Sequence, residues 1–232
     1  MPGVEHIAAL RCLRAGTVID VGANRGQFSV VARRMFPTAE IHAFEPLARE
    51  RAVFQSVVAG ATTSYALAIG ARKGEETFFV ASRRDSSSLL KPGQGSEAGF
   101  GVTLVSSIAV QVARLSDVLD IAELPRPILL KLDVQGAELA VLEGAADILP
   151  QICWIYTEAS FVRLYEGQPL VGEIIDFLAQ RAFGLRGVFN HSATPELGPA
   201  QADFLFMNEP LAGDASARLR AGTRGPGTAA AA

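Results

Sequence analysis

The beginning of the chain alternates between short strand-like runs and amphipathic runs. Residues 18–21, Glu40–Phe44 and 63–69 are rich in strand-forming side chains. Between them, residues 27–36 and 47–58 carry apolar side chains at helical spacing. A β-α-β-α-β order joins parallel strands through crossover helices. It therefore predicts an α/β fold in which a mostly parallel sheet carries helices on both faces.

The middle of the chain interrupts this order. Residues 76–81 and 108–112 indicate two further strands, joined by a polar, glycine-rich stretch over 82–101. We interpret residues 72–112 as a small β-hairpin insertion with a mobile loop, which is either a surface connection or a lid over a site. Further strands are predicted at 128–134 and 152–157, and further helices at 137–149 and 171–181. Two last strands, at 185–189 and 204–207, are predicted to close the sheet as an antiparallel pair.

A single domain accounts for most of the chain. The full length of 232 residues matches the ordinary size of one domain. From residue 212 onward the composition turns to Ala, Gly and Arg, with no periodic apolar face. We therefore predict one domain over residues 1–211 and a disordered tail over 212–232.

Composition excludes several classes of protein. A formal net charge of -3 and a pI of about 5.7 argue against a general affinity for nucleic acid. Cys12 and Cys153 are too few and too widely spaced for a disulfide framework or a CxxC-type zinc site. The N-terminus lacks the apolar core of a secretory signal, and the longest charge-free run, 52–71, is too polar for a membrane span. We expect a cytoplasmic protein with no membrane span and no nucleic-acid partner.

The first strand-turn-helix carries the strongest signal for a binding site. Asp20 lies in the strand, Gly22 follows it, and Gly26 opens the helix. Glycines permit a tight turn and a close approach of ligand to backbone. Asn24 stands where the dinucleotide-binding pattern GxGxxG requires glycine, and no P-loop lysine follows. The turn suits a ligand with an amino-acid end: Gly22 and Ala23 would expose backbone groups to it, and Asp20 would organise the turn or reach an ammonium through water.

Glu45 ends the second predicted strand. A carboxylate in this place can accept two hydrogen bonds from a ribose diol. Each acidic residue also has a purely structural interpretation, as a turn cap for Asp20 and a helix cap for Glu45. Their spacing within one βαβ unit favours a nucleoside-containing ligand.

Three segments resemble one known family. VIDVGANRGQFS, AFEP and LLKLDVQGAELAVLEGA are similar to motifs of the FkbM-type methyltransferases, and the resemblance runs from about Gly16 to Met207. Family members usually carry Glu where this chain has Gln135. The resemblance implies a class I, Rossmann-like sheet of seven strands, mostly parallel with the last antiparallel. It also implies O-methylation of sugar or natural-product hydroxyls with S-adenosylmethionine as methyl donor.

The same resemblance assigns cofactor contacts. The methionine end is assigned to Gly22, Ala23, Asn24 and Gly26. The ribose is assigned to Glu45, and the border of the adenine to Pro46, Ala68 and Ile69. Ser87, or its neighbour Ser88, is expected to contribute from the insertion.

Three side chains are candidates for the chemistry. Asp133 and Glu158 end neighbouring predicted strands, which lie ~4.8 Å apart in a parallel sheet, so both carboxylates can meet one substrate. They would act as a base, or together hold Mg²⁺. Alternatively, Asp133 only caps the next helix or contacts the cofactor. His191 lies in a polar stretch between the last two predicted strands, and is either an acceptor-side base or a solvated loop residue.

The leading hypothesis is a methyltransferase that acts on a small-molecule hydroxyl of a sugar, glycolipid or polyketide-type product. A cofactor-binding interaction module without catalysis is the alternative, and a nicotinamide-dependent dehydrogenase is disfavoured by Asn24. The sequence leaves open a homodimer, the identity of the acceptor, and the choice between a metal and a general base.

Overall fold

The computed structural model describes residues 3–211, and the expectation of a tail over 212–232 lies outside the described residues. The strands are β1 Thr17–Val21, β2 Glu40–Phe44, β3 Thr62–Tyr65, β4 Ala68–Ile69, β5 Gly74–Ala81, β6 Leu104–Ala113, β7 Ile128–Leu132, β8 Trp154–Ser160, β9 Phe183–Thr194 and β10 Gly198–Asn208. The α-helices are α1 Ile7–Leu10, α2 Gln27–Met35, α3 Ala48–Val57, α4 Gln94–Phe100, α5 Leu115–Val118, α6 Glu138–Gly144 and α7 Val171–Ala179. Short 3-10 turns cover Val4–His6, Arg84–Ser86, Ile121–Glu123 and Leu149–Gln151.

Seven strands form the main sheet, in the order β3-β2-β1-β7-β8-β10-β9. The pairs β3-β2, β2-β1, β1-β7 and β7-β8 are parallel, whereas β10 runs antiparallel to both β8 and β9. The predicted Rossmann-like α/β sheet, with the last strand of the chain antiparallel, is confirmed. The order reverses between β1 and β7, and in open α/β sheets ligands bind at such a reversal, outside the carboxyl ends of the strands.

Helices cover both faces of this sheet. Side chains alternate across β1, so that Val18 packs with one apolar cluster while Ile19 packs with another. The first cluster includes buried residues of α1, α2 and α3, and the second includes buried residues of α5, α6 and α7. All five residues of β7 are buried, which explains its nearly continuous apolar sequence.

The insertion forms a second, three-stranded sheet in the order β4-β6-β5. The predicted hairpin is confirmed, because β5 and β6 pair antiparallel. The prediction of one strand over 63–69 is wrong: the chain leaves the main sheet after β3, and Ala68 and Ile69 pair with β6 instead.

The stretch over 82–101 is also more regular than predicted. It contains a 3-10 turn and α4, where a plain polar loop was expected. At the start of α4, Gly93 N and Ser96 Oγ both donate to the carbonyl of Leu164, at 2.8 and 2.5 Å. Contacts with a segment distant in sequence therefore hold this part of the insertion.

Two long strands replace the predicted polar loop near the end of the domain. β9 and β10 extend well beyond the runs predicted at 185–189 and 204–207. His191 consequently lies within β9 rather than in a connecting loop, and its placement as a loop residue is wrong. Among residues 3–211, no helix is both long enough and apolar enough to cross a membrane.

Candidate active site

A cavity of about 200 Å³ opens at the carboxyl ends of β1, β2 and β7. The insertion and the N-terminal 3-10 turn contribute further lining residues. Nine residues expected at the cofactor line this cavity: Gly22, Ala23, Asn24, Glu45, Pro46, Ala68, Ile69, Ser87 and Asp133. Segments far apart in sequence therefore meet in one cavity.

The turn after β1 owes its shape to glycine. Gly22 has a φ of 78°, and a Cβ added there would lie 1.9 Å from the carbonyl oxygen of Asp133. The amides of Gly22 and Ala23 both donate to the carbonyl of Phe44, at 3.1 and 3.0 Å, so the backbone donors expected to face a ligand are used within the turn. Gly26 does not line the cavity; its missing side chain lets Phe54 and Val58 approach.

Asp20 is fully buried beneath this turn. Its Oδ2 accepts a hydrogen bond from Ser29 Oγ at 2.6 Å, and its Oδ1 lies 3.1 Å from Lys131 Nζ. Lys131 Nζ also donates to the carbonyl of Gly22 at 3.2 Å and lies 3.6 Å from Asp133 Oδ2. The geometry matches the structural interpretation of Asp20, which organises the turn through Lys131.

Lys131 was not among the site residues predicted from sequence. Burial lowers the pKa of its amine, but the charges of Asp20 and Asp133 outweigh burial, so the pKa lies above its ordinary value. Lys131 is thus a buried cation that joins the β1 turn to the end of β7. An isolated lysine in an apolar strand was the available signal, because a buried charge requires partners.

Glu45 is a buried acceptor on the cavity wall. Its Oε1 accepts a hydrogen bond from the backbone amide of Leu47 at 2.7 Å, and its Oε2 accepts one from the backbone amide of Asn24 at 3.0 Å. Burial raises the pKa of Glu45 to about 7, although these two amides oppose the rise. Each carboxylate oxygen keeps a further lone pair, which is what recognition of a vicinal diol requires.

Gln135 separates the two carboxylates that were expected to share a substrate. Its Nε2 donates to Asp133 Oδ1 at 2.7 Å and to Glu158 Oε2 at 3.1 Å, and its Oε1 lies 2.9 Å from the hydroxyl of Tyr165. Glu158 also accepts from Gln201 and does not line the cavity. Burial, followed by the charge of Asp133, raises the pKa of Glu158 well above its ordinary value.

This donor set does not fit a magnesium ion. Mg²⁺ requires oxygen ligands, whereas the space between Asp133 and Glu158 holds an amide nitrogen whose hydrogens point at both carboxylates. Among residues 3–211, no group of three or more His, Cys, Asp or Glu side chains is arranged to hold a metal ion. The hypothesis of a Mg²⁺ site is therefore not supported.

Other cavity residues were not among the site residues predicted from sequence. His6 reaches the cavity from the N-terminal 3-10 turn, Phe28 from the start of α2, and Arg84 from the insertion. His191, which the sequence left open as an acceptor-side base or a solvated residue, is exposed on β9 and does not line the cavity. Pattern alone could not place His6, because its position depends on packing of the N-terminus against Phe28 and Tyr156.

Comparison with known proteins agrees with the geometry. Residues 20–185 match the family model described as the methyltransferase FkbM domain. The chain belongs to the FkbM methyltransferase family. It is accordingly a methyltransferase that depends on S-adenosylmethionine. The alternative hypothesis of a dehydrogenase is not supported.

Two curated relatives are similar in sequence. The 2-O-methyltransferase NoeI of Sinorhizobium fredii is 29% identical over 170 residues, which cover 69% of this chain and 70% of that protein. Methyltransferase 1 of Beauveria bassiana is 30% identical over 145 residues, 56% of this chain and 58% of that protein.

Solved structures also align with the chain. Magnesium protoporphyrin IX methyltransferase of Synechocystis PCC 6803, with bound S-adenosylmethionine, has a TM-score of 0.47 at 11% identity and covers 88% of this chain and 74% of its own. Precorrin-6y C5,15-methyltransferase of Geobacter metallireducens has a TM-score of 0.45 at 13% identity, with 87% and 84% coverage.

Proposed function

We propose that this FkbM methyltransferase methylates a hydroxyl of a sugar, a glycolipid or a polyketide-type product. The observation that carries the proposal is the single cavity in which Glu45, the glycine turn and Asp133 meet. This cavity brings together an acceptor for a diol, a tightly shaped turn and a carboxylate. Oxygen as the acceptor atom is supported by the similarity to a protein named as a 2-O-methyltransferase.

Glu45 orients the cofactor by accepting hydrogen bonds from its ribose hydroxyls. Pro46, Ala68 and Ile69 would hold the adenine against their apolar surface, with Ser87 at its edge. At the methionine end, the carbonyl of Gly22 has one lone pair engaged by Lys131 and accepts from the ammonium with the other. Asn24 contributes indirectly, because its backbone amide holds the carboxylate of Glu45 in place.

Asp133 is the carboxylate that faces the acceptor. When bound, S-adenosylmethionine supplies an activated methyl group, so the protein mainly has to orient the acceptor oxygen and exclude water. Asp133 accepts a hydrogen bond from a hydroxyl of the acceptor next to the reacting one, and thereby aims the reacting oxygen. Glu158 has no access to the cavity and acts by holding Gln135, which in turn holds Asp133.

Binding and turnover assays test this function. We expect calorimetry to detect S-adenosylhomocysteine but not NAD. We expect methyl-labelled S-adenosylmethionine to label at least one member of a panel of sugars, glycolipids and polyketides, on oxygen. Binding of S-adenosylhomocysteine with no labelled product would favour the interaction module instead, and label on nitrogen or carbon would exclude an O-methyltransferase.

A further inference from the structure

Methylation of a hydroxyl releases a proton, and the chemistry assigned so far lacks a group to accept it. Asp133 is a poor candidate, since Lys131 and Gln135 already engage its two oxygens at 3.6 and 2.7 Å. Glu45 is used for the ribose. The acidic side chains of Glu5 and Asp85, which also line the cavity, are 53% and 51% exposed and are poorly held.

His6 is different, because packing and hydrogen bonds fix its ring. The side chain is 16% exposed, and the ring packs edge-on against Phe28 at 5.3 Å and Tyr156 at 5.6 Å between centroids. Its Nδ1 lies 3.1 Å from the hydroxyl of Tyr156 and 3.5 Å from Asp203 Oδ2. Asn190, which is itself exposed on β9, completes this network.

The network determines which ring nitrogen carries the proton. The hydroxyl of Tyr156 donates its only hydrogen to Asp203 Oδ2 at 2.7 Å. Asn190 Nδ2 has two hydrogens, one for Asp203 Oδ2 at 2.7 Å and one for the oxygen of Tyr156 at 3.1 Å. That oxygen can therefore only accept from His6, so Nδ1 is the donor and Nε2 of the neutral ring is a free base.

The unprotonated nitrogen, Nε2, lies on the side of the ring away from Tyr156 and Asp203. Tyr156 and Asp203 do not line the cavity, whereas His6 and Glu5 do. Nε2 lies 3.8 Å from Oε1 of Glu5, and Nδ1 is turned toward the buried pair. The cavity wall beside it is Phe28, whose ring centroid is 5.5 Å from Lys131 Nζ, at the methionine end of the proposed site.

We propose that His6 is the catalytic base and that Asp203, Tyr156 and Asn190 are its positioning residues. This inference rests on the proposed O-methyltransferase function. As the acceptor oxygen bonds to the methyl carbon, the carbon–sulfur bond breaks toward sulfur, and the hydroxyl proton passes to His6 Nε2. The imidazolium then returns this proton to solvent.

The surroundings of His6 suit a transient positive charge. Burial raises the pKa of Asp203, but hydrogen bonds from His6, Tyr156 and Asn190 outweigh it and hold the pKa below its ordinary value. Asp203 is thus ionised, and its negative charge stabilises the positive charge that develops on the ring. Glu5 faces the ring from the other side.

Nitrogen NMR tests the tautomer without any acceptor. The full chain, labelled with ¹⁵N-histidine, contains three histidines, which substitution assigns one at a time. At about pH 8.5, where histidine is ordinarily neutral, we expect a protonated Nδ1 and a bare Nε2 for His6. Asp203→Asn should move the proton toward Nε2. A wild-type His6 protonated at Nε2 overturns the proposal.

Turnover with the acceptor that is found in the labelling assay tests the chemistry. In His6→Asn the amide nitrogen lies near the position of Nδ1, so the buried donor is kept and Nε2 is lost. We expect kcat to fall by ~10²-fold or more, with KM and the affinity for S-adenosylhomocysteine within about threefold of wild type. Retained cofactor affinity also shows that the variant folds.

The outcomes separate the two proposals. Nearly full kcat in His6→Asn overturns the base assignment alone, as does a parallel loss of cofactor affinity. A large loss in His191→Asn with full activity in His6→Asn would return the role to His191. If wild type binds S-adenosylhomocysteine but methylates no hydroxyl, the proposed function itself fails.

Discussion

Burial sets the acid–base behaviour of the carboxylates around the cavity. Glu45 and Glu138 both have pKa values raised to about 7 by burial, and each is held by two backbone amides. Only Glu45 lines the cavity. At the scale of single residues, the same desolvation therefore raises the pKa of a proposed ligand contact in one place and of a turn residue in the other.

The affinity for S-adenosylhomocysteine should decline as pH falls through 7. Below the pKa of about 7, Glu45 is protonated and loses lone-pair capacity for the ribose. If S-adenosylhomocysteine binds only the protein in which Glu45 is ionised, its Kd rises about tenfold between pH 8 and pH 6. Calorimetry across this range, with Glu138→Gln as the matched control, measures the effect.

Glu45→Gln should remove this dependence and weaken binding by about 1.5–3 kcal/mol at pH 8. Glu138→Gln should retain the wild-type slope. An unchanged affinity in Glu45→Gln would exclude the ribose contact.

Asp133→Asn should lower turnover by ~10²-fold, the scale of a misplaced acceptor, while changing cofactor affinity much less. The substitution keeps the shape and removes the charge that aims the acceptor. Steady-state rates and calorimetry measure the two quantities.

Because Gln135 occupies the space between the carboxylates, EDTA should leave wild-type turnover unchanged. Loss of activity in EDTA with recovery in Mg²⁺ would reinstate the metal hypothesis.

At the scale of elements, ion pairs join the insertion to α3 and to the turn after β1. Arg84, in the 3-10 turn of the insertion, and Arg25, in the turn after β1, lie 3.8 and 3.7 Å from Oε1 of Glu50. Glu50 lies on α3 and is fully buried, and within the described residues neither of its carboxylate oxygens has a hydrogen bond. This carboxylate therefore depends on the two arginines for compensation.

Glu50→Gln should loosen the insertion over the cavity. We expect S-adenosylhomocysteine to dissociate about 3- to 10-fold faster, equal to about 0.7–1.4 kcal/mol, as measured by stopped-flow fluorescence. Glu97→Gln, which neutralises an exposed acid of the same insertion, should leave the rate unchanged. Equal rates in wild type and Glu50→Gln would show that this charge does not retain the cofactor.

At the scale of the whole molecule, the order of the main sheet brings the ends of β1, β2 and β7 together at one edge. The second sheet and the N-terminal turn then close parts of that edge. The described core ends with β10 at Asn208.

A chain that ends at Leu211 should keep the melting temperature and cofactor affinity of the full chain. The prediction follows from the Ala-, Gly- and Arg-rich composition of residues 212–232, which offers little apolar surface to bury. Differential scanning calorimetry and cofactor titration of both chains measure it. A fall of more than about 4 °C, roughly 1 kcal/mol for a chain of this size, would show that the segment packs.

Local patterns were sufficient to predict the α/β class, the strands β1, β2 and β7 and the turn at Gly22. These features depend on the side-chain periodicity of one segment, or on one position where a Cβ does not fit. The place of Glu45 on the cavity wall followed from the same local unit, because a strand end and its turn are neighbours in sequence.

Long-range packing decided the chemistry around the acceptor. His6 meets Asp203 only because the N-terminal turn packs against the main sheet, and the role of Gln135 depends on a neighbouring strand that supplies Glu158. Likewise, His191 belongs to β9 because β10 pairs with it. Hydrogen bonds between distant segments leave no periodic trace in sequence, so these contacts became visible only once the chain was folded.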